Sequence, residues 1–224
     1  IPFVLKDPEL KDQIYNIVKS PAENIIKNFP KLFEYYNEGE DEEFIEYLKE
    51  KEFIAYQENG NDVFKKASDL YYPTEDLILY FEHKPDTKFV DLEYYKGIIS
   101  EEATPLRKFL IAIGVKESPK ITKEKFEKSG ERVQGYQQKQ TVKGEDVSID
   151  NGGDYLNTIL KEQSKEKSLL FWRIVSNYKL VDIKGDFKVR GKELEYSTYL
   201  SSALQLLRNK KWLLTKQGAF VAPS

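Results

Sequence analysis

Apolar residues recur along this chain at two spacings, and each spacing predicts a different kind of element. Near the C-terminus, intervals of three and four residues predict one apolar stripe on a short amphipathic helix, made of Leu200, Ala203, Leu204 and Leu207. Two apolar stretches, 212–215 and 219–221, then flank the turn Lys216-Gln217-Gly218, a pattern typical of a tight β-hairpin. This segment is therefore predicted to be a helix followed by a hairpin.

The same order of elements is predicted earlier in the chain. A helical stripe there contains Phe44, Ile45, Tyr47 and Leu48. A hairpin is expected at about 53–66, with its turn at Glu58-Asn59-Gly60-Asn61. When the two segments are aligned, Leu48 corresponds to Leu207 and Phe53 corresponds to Trp212. The alignment indicates a repeated helix–hairpin unit, with chance similarity in an aromatic-rich chain as the alternative.

Helical spacing and capping residues predict most of the other elements. Pro8 begins a helix, Thr74 suits the N-cap of another, and Gly114 ends the helix that contains Phe109 and Leu110. Further helices are expected to lie at 155–160 and 169–175. The remaining predicted strands lie at 88–90 and, as a hairpin across Gly185-Asp186, at 180–184 and 187–190.

These elements predict an α+β fold that is mainly helical, with two lobes and small antiparallel β-hairpins. Residues 1–117 are predicted to form an N-terminal helical lobe, and residues 154–224 a C-terminal helix–hairpin lobe. A Gly/Lys-rich connector is expected between them at 118–153. Within it, the interleaved Lys and Glu residues of 120–128 favour a solvated helix face, and 129–153 is expected to be a long loop or an irregular hairpin.

Composition narrows the class of protein. The 224 residues are 40% hydrophobic and 33% charged, which is typical of a soluble globular protein, and no apolar run is long enough to span a membrane. A net charge of −3 gives no general attraction to nucleic acid or to an anionic membrane. The absence of cysteine excludes disulfides and fits a reducing, cytoplasmic location. Because the sequence starts at Ile1 and stops within a recurring motif, we expect it to be a segment of a longer polypeptide.

Residues suited to catalysis are sparse. His83 is the single histidine, so a Ser-His-Asp triad would depend on it, and a zinc site would need carboxylates for most of its ligands. Gly130–Gly135 has the glycine spacing of a phosphate loop, but Tyr136-Gln137 replaces the required Lys and Ser or Thr. Asp150–Asp154 and the acid pairs Glu101-Glu102 and Glu193 with Glu195 are better explained as a helix-start turn and as solvated carboxylates. We therefore predict no catalytic, cofactor-binding or metal-binding residue in this segment.

Tyrosine is the chain's most distinctive residue, with 15 copies. A tyrosine ring combines an apolar body with a polar tip, which protein interfaces favour. The adjacent pairs Tyr71-Tyr72 and Tyr94-Tyr95 are therefore candidate partner-binding residues. The alternative is that these rings are half-buried at the edges of two small cores.

Four segments resemble a known family. They are the Trp212–Ser224 ending, Leu70-Tyr71-Tyr72-Pro73 with Tyr80-Phe81, the helix end Phe109–Val115, and Ser168-Leu169-Leu170-Phe171-Trp172. This chain resembles the region downstream of the ATP-binding domain in sacsin-like and NO VEIN-like proteins. The resemblance implies an ATPase domain of the histidine-kinase, gyrase and heat-shock-protein-90 type, with ATP and Mg²⁺, N-terminal to this segment. None of its nucleotide-binding motifs is present here.

The resulting hypothesis is a non-catalytic, chaperone-like middle or C-terminal module of a larger ATPase. It would couple nucleotide state to a protein partner or client, with other domains of the same polypeptide as further partners and no membrane partner. Two alternatives stay open: a stand-alone protein-interaction scaffold, and a nucleic-acid-associated module of a bacterial defence or restriction protein. The last alternative requires a one-sided basic surface along 120–143 or 184–211.

Overall fold

The structure, a computed structural model, describes residues 8–39, 41–82, 84–99, 103–149, 164–195 and 198–223. Contacts between Cα atoms divide the chain into two compact units. The first contains residues 1–81 and 85–117, and the second contains residues 82–84 and 118–224. Helices and small antiparallel sheets occur in both units, which confirms the predicted α+β class. The helix predicted at 155–160, His83, Glu101, Glu102 and the Asp150–Asp154 segment lie outside the described residues.

Helices make up most of the first unit. They are α1 (Pro8–Val18), α2 (Ala22–Lys27), α3 (Phe29–Glu38), α4 (Glu42–Lys49), α5 (Glu75–Tyr80), α6 (Leu92–Lys96) and α7 (Ala103–Ala112). Side-chain oxygens of Asp41, Thr74 and Asp91 cap α4, α5 and α6, respectively, by accepting hydrogen bonds from backbone N–H groups of the first turn. The predicted N-cap at Thr74 is therefore confirmed.

A β-hairpin follows α4, as the Asn-Gly turn predicts. Strand β1 (Glu52–Glu58) pairs antiparallel with β2 (Asn61–Lys66). The turn residues Asn59 and Gly60 have φ values of 54° and 78°, which are the positive values that a type I′ turn requires. Four consecutive residues of β1, Phe53 to Tyr56, are buried, so both faces of this strand are covered.

Aromatic rings fill the centre of the first unit. The ring centroid of Phe29 lies 4.6 Å from that of Tyr95, 5.6 Å from that of Phe109 and 6.3 Å from that of Phe53. These four residues come from α3, α6, α7 and β1, and all of them are fully buried. The rings therefore connect three helices and the hairpin in one apolar core.

The start of α4 is tied to α1 and α3 through one carboxylate. Asp41 accepts hydrogen bonds from the hydroxyls of Tyr15 (3.0 Å) and Tyr35 (2.9 Å) and from the Phe44 backbone N–H (3.2 Å). Burial alone would raise the pKa of Asp41, but these three hydrogen bonds and the nearby Lys11 ammonium together lower it. Burial, followed by the hydrogen bond to this carboxylate, raises the pKa of both tyrosines. Asp41 is therefore ionised in the folded chain and holds three helices together.

Three extended segments meet beside this core. The backbone around Tyr71 bonds on one side to residues 88–90 and on the other to Lys116, with a parallel bridge to each. The strand predicted at 88–90 is thus present only as a single bridge at Phe89. Gly114, in the preceding turn, has a φ of 113° and ends α7 as predicted.

The second unit is built on a four-stranded antiparallel sheet. Its strands are β3 (Ile121–Glu131), β4 (Gln140–Ile149), β5 (Asp186–Val189) and β6 (Lys192–Glu193), in that spatial order. The described helices of this unit are α8 (Lys165–Val175), α9 (Leu180–Ile183) and α10 (Ser202–Asn209). A short hairpin of β7 (Leu213–Leu214) and β8 (Phe220–Val221) follows α10, so the predicted helix-then-hairpin order holds here too.

The region predicted to be a connector differs most from expectation. Most of 118–149 belongs to β3 and β4, whose pairing runs from Ile121 opposite Ile149 to Glu131 opposite Gln140. The prediction of a solvated helix face at 120–128 is wrong, because residues 121–128 lie in β3. Alternating Lys and Glu residues also fit the two-residue period of a strand, and the pairing with β4 selects that period. For the described part of 129–153, residues 129–149, the irregular hairpin is the better of the two alternatives.

The hairpin predicted across Gly185-Asp186 is also wrong. Residues 180–183 form the helical turn α9, and β5 pairs instead with β4 and β6. The tight turn lies five residues later, at Arg190 and Gly191, with φ values of 51° and 79°. Gly185, at φ 71°, connects α9 to β5.

Two small apolar clusters lie on the sheet. The first consists of Val133, Val142, Phe187 and Val189, with Phe126 and Tyr199 packed against it. The second consists of Val147, Ile149, Ile183 and Ala203, with Leu204 and Leu207 packed against it. Since Val142 and Val147 are an odd number of residues apart on β4, they point to opposite faces, and this strand supports both clusters.

Candidate functional site

Helix α8 presents one apolar face to the inside of the second unit and another to solvent. The Ser164 hydroxyl caps its start by accepting from the Lys167 backbone N–H at 3.1 Å. Its inner face buries Ser168, Leu170, Phe171 and Ile174. Its outer face carries Leu169 and Trp172, three residues apart, and the Trp172 side chain is 54% exposed. Large apolar residues exposed next to each other on one helix indicate an interaction surface.

Trp212 forms the floor beneath this outer face. Its indole N–H donates to the Leu207 carbonyl at 2.7 Å, and its own carbonyl accepts from the buried Ser168 hydroxyl at 2.6 Å. Its ring packs edge-on against Phe171 with centroids 4.7 Å apart, and lies 6.0 Å from the Trp172 ring at an angle of 32°. These contacts fix Trp212 between α8, α10 and the strand β7.

A groove opens where Trp172, Trp212 and α10 meet. It has a volume of about 330 Å³ and is lined by Trp172, Val175, Ser176, Leu204, Leu207, Arg208, Trp212 and Pro223. Six of these eight residues are apolar, and the lining contains no carboxylate among the residues the structure describes. We call this feature the Trp172 groove.

The chain segments that line the Trp172 groove carry cationic residues. Arg208 lines it, the exposed Lys210 and Lys211 follow in the chain, and Arg173 is the neighbour of Trp172. Arg208 lies in the last turn of α10, where the helix dipole places partial negative charge that favours a cation. An apolar floor with cationic residues at its edge can hold apolar side chains and attract carboxylates beside them.

Two larger concavities are less suited to a specific ligand. One, of about 700 Å³, lies over β5 and α9, and its charged side chains include both signs, such as the Lys123–Glu145 ion pair at 3.8 Å. The other, of about 580 Å³, lies beside β1, where the Lys88 ammonium is 2.5 Å from Glu58 and donates to the Tyr56 hydroxyl at 2.9 Å. In both, charged groups pair with protein neighbours. Within the described residues, no group of three or more His, Asp or Glu side chains could hold a metal ion.

The predicted partner-binding tyrosines take different positions. Tyr71 is half-buried, with its ring 4.7 Å from Phe81 and the Lys116 ammonium 5.0 Å from its centroid. Tyr72 is only 8% exposed and lies under the Arg107 guanidinium. The first pair of tyrosines therefore offers a partner little more than part of the Tyr71 ring.

The second pair lies on α6. Tyr95 is completely buried, and its hydroxyl accepts a hydrogen bond from the Ala55 backbone N–H at 2.9 Å. Burial raises its pKa. Tyr94 is half-buried and packs edge-on against Phe64 and Tyr95. Tyr95 thus has no surface to offer a partner, because it attaches α6 to β1 inside the core.

The remaining motifs that the sequence suggested lie in the four-stranded sheet and its connections. Gly130 and Gly135 have φ values of 82° and 88° and lie at the end of β3 and in the β3–β4 connection. Glu193 lies in β6 and is 3.8 Å from the Lys188 ammonium. Along 120–143, Lys and Glu alternate and form the pairs Lys128–Glu131 and Lys143–Glu127, so this stretch carries both signs of charge.

The sequence pattern predicts helix α8 but not the Trp172 groove. The signal was present: Leu169, Leu170, Phe171 and Trp172 are four consecutive apolar residues, and consecutive positions spread around a helix. One buried face cannot cover them all, so part of this run had to be exposed or covered by another element. Only the structure shows which part is exposed.

No protein-family model, no curated protein and no solved structure matches the chain. Among the described residues, no helix has the length and apolar character needed to cross a membrane.

Proposed function

We propose that this chain is a protein-interaction module and that the Trp172 groove is where it binds an apolar segment of a partner. The observation that supports this proposal best is Trp172 itself. More than half of this large side chain is exposed, next to an apolar floor. Tryptophan and arginine dominate the energetics of protein interfaces, and both line this groove.

The occupant is a segment that carries one or two large apolar side chains flanked by carboxylates. The groove volume lies near the lower end of the range of about 300–1,000 Å³ that is common for binding pockets, which suits a few side chains. Arg208 lines the groove and the exposed Lys210 and Lys211 follow it in the chain, so their positive charge would repel a basic segment. A short amphipathic helix with an acidic polar face meets both requirements.

Peptide titration tests this proposal. Two synthetic helix-forming peptides share one pattern of Leu residues, and their polar positions are all Glu in one peptide and all Lys in the other. In fluorescence anisotropy, the acidic peptide is expected to bind about tenfold more tightly than the basic one, and Trp172→Ala is expected to weaken it by about tenfold or more. The matched control is Leu180→Ala, which removes an exposed leucine that does not line the groove.

Two outcomes would overturn the proposal. The first is equal binding of both peptides, or equal binding by the chain and its Trp172→Ala variant. The second is tight binding of a single-stranded oligonucleotide, with strong dependence on salt and on Trp172, when the acidic peptide does not bind. Aromatic and basic residues together also suit stacked bases and phosphates, and that result would assign the groove to nucleic acid.

The sequence resemblance supports a wider version of this proposal. If an ATPase domain precedes this segment, the groove would be the client-contacting surface whose availability changes with ATP and Mg²⁺ binding. If no such domain exists, the groove would belong to a stand-alone scaffold. The full-length open reading frame distinguishes these versions, and the peptide titration tests the groove in either case.

A further inference from the structure

We propose that two copies of this chain associate through the outer edge of β3, paired antiparallel with Phe126 opposite Phe126. The sheet order β3-β4-β5-β6 puts β3 at one end, and no strand within the described residues pairs with its outer edge. Seven of its eleven residues, 123–125 and 127–130, are exposed. A strand of this length with an open edge can pair with another strand.

Opposite charges face each other in this arrangement. With Phe126 on the two-fold axis, Glu124 of one copy is opposite Lys128 of the other, and Lys125 is opposite Glu127. The symmetry repeats both pairs, so four attractive pairs form, two on each face of the joined sheet. Directly opposed opposite charges stabilise antiparallel strands, and like charges destabilise them.

The neighbouring registers place like charges opposite each other. A shift by one residue in one direction opposes Glu124 to Glu127 and Lys123 to Lys128, and a shift in the other direction opposes Lys125 to Lys128. A shift by two residues places either Lys125 or Glu127 opposite its own copy. The charge pattern of β3 therefore selects one register, which is the specificity that a discrete dimer needs.

Charges on an edge strand can also serve only to prevent pairing, as lysines on many edges do. A single-sign edge would repel a second copy in every register, whereas β3 alternates the two signs. The pairing of β3 with β4 is regular from Ile121 to Lys128, and its irregularity, between Lys128 and Glu131, lies beyond the four charge pairs. The central Phe126 is held by Phe187 and Tyr199, at centroid distances of 5.4 and 6.0 Å. The part of β3 that would pair thus has an unbroken register with β4 and a central ring packed against its neighbours.

Sedimentation velocity of the whole chain and two charge-reversal variants tests the proposal. The unmodified chain is expected to form dimers as its concentration rises. Lys125→Glu alone and Glu127→Lys alone each replace two attractive pairs with two repulsive ones, and each is expected to weaken self-association by about tenfold or more. An equimolar mixture of the two variants restores both attractive pairs and is expected to form a heterodimer.

The mixture controls for damage to the fold, because two misfolded variants would not restore association. The proposal is overturned if the unmodified chain stays monomeric at all concentrations, or if either variant alone dimerises as well as the unmodified chain. A mixture that stays monomeric would also overturn it when the unmodified chain dimerises and both variants keep its far-UV circular dichroism spectrum, because the dimer would then use another surface.

Cross-linking tests the register independently. The chain contains no cysteine, so Phe126→Cys introduces the only thiol, directly opposite its copy at a Cα separation of about 4.5–5.5 Å, which a disulfide can span. Ser129→Cys is the matched control, because in this register its copy is about 20 Å away. Oxidation is expected to link the first variant and not the second. Equal linking of both would overturn the register.

Discussion

The two helix–hairpin segments, α4 with β1–β2 and α10 with β7–β8, show how one local sequence pattern can lead to different surfaces. In the first segment, α4 and β1 bury one set of side chains in the aromatic core, and Leu48 and Phe53 are completely buried. In the second, α10 precedes strands of only two residues, Leu207 is half-buried, and Trp212 has one side on the Trp172 groove. The difference arises from the elements that pack against each helix–hairpin segment. Helices α1, α3, α6 and α7 supply aromatic rings to the shared core around the first segment, whereas α8 is the helix whose rings pack on Trp212.

Phe53→Ala should have the largest effect, because it removes a completely buried ring from the first unit. A free energy of unfolding lower by about 3–5 kcal/mol is expected, from lost burial and the cavity left behind. Urea denaturation, monitored by far-UV circular dichroism, measures this loss of stability. Trp212→Ala is the matched change in the second unit, and its cost should be smaller because one side of that ring faces the groove. Equal losses would contradict the comparison.

Gly144→Ala tests how tightly the second unit is packed at its sheet. A Cβ at this position would meet the Asp186 carbonyl at a distance that real Cβ atoms do not adopt, and φ is 154°. We expect a loss of about 2–3 kcal/mol, because backbone atoms of β4 and β5 must separate. The control is Gly130→Ala, where φ is 82° and no atom lies within 4 Å, so that only the backbone strain of about 1 kcal/mol remains. Thermal unfolding followed by tryptophan emission suits both, since Trp172 and Trp212 belong to this unit. Equal losses of stability in the two variants would show that the close approach of β4 and β5 does not restrict position 144.

Asp41→Ala should destabilise the first unit by about 2 kcal/mol. The change removes the N-cap of α4 and leaves the hydroxyls of Tyr15 and Tyr35 without this acceptor. Glu46→Ala is the control, because its exposed carboxylate forms an ion pair with Lys49 of the same helix, and such surface pairs contribute little to stability. Urea denaturation compares the two variants, and an equal effect would show that the junction at Asp41 contributes little.

The same carboxylate makes the first unit sensitive to acid. The pKa of Asp41 is lowered by folding, so its ionised form stabilises the fold above the ordinary value of 3.8, and this contribution is lost as the pH falls through the lower folded pKa. Asp41→Asn removes the titrating group. Its free energy of unfolding is therefore expected to fall less between pH 6 and pH 3 than that of the unmodified chain. If the free energy of unfolding fell equally for the two proteins between pH 6 and pH 3, Asp41 would not be the group responsible.

Trp172→Ala should have the smallest effect on stability, within about 0.5 kcal/mol, because the side chain is largely exposed. Ile174→Ala, two residues along the same helix, removes a buried side chain and should cost about 2–4 kcal/mol. Urea denaturation of both variants checks whether α8 has one structural face and one binding face. A large loss from Trp172→Ala would mean that this ring belongs to the core.

Local signals in the sequence were sufficient for some elements. The Asn-Gly turn predicted the β1–β2 hairpin because the required φ values are a property of those two residues. Thr74 and Gly114 marked helix ends for the same reason. Each of these features depends on contacts within a few residues, so no knowledge of the rest of the fold was needed.

Features that depend on distant partners were not predictable. The Lys and Glu residues of β3 suit a helix or a strand, and only pairing with β4 decides between them. Likewise, β5 pairs with β4, about 44 positions earlier in the chain, in place of the adjacent residues 180–184. For the site, tyrosine pairs suggested an interface, but Tyr95 is buried because Phe29 and Ala55 surround it. The exposure of Trp172 depends on which face of α8 meets Trp212.

Strand β4 imposes an unusual constraint on any change of chain length. Val142 belongs to one apolar cluster and Val147 and Ile149 to the other, on opposite faces of the same strand. Inserting or deleting one residue between Val142 and Val147 would turn one of these sets away from its cluster, whichever end of the strand kept its position. This ten-residue strand should therefore tolerate many conservative substitutions but no insertion or deletion of a single residue. A scan that inserts one residue at each position in turn should find the sharpest change from folded to unfolded variants at this strand.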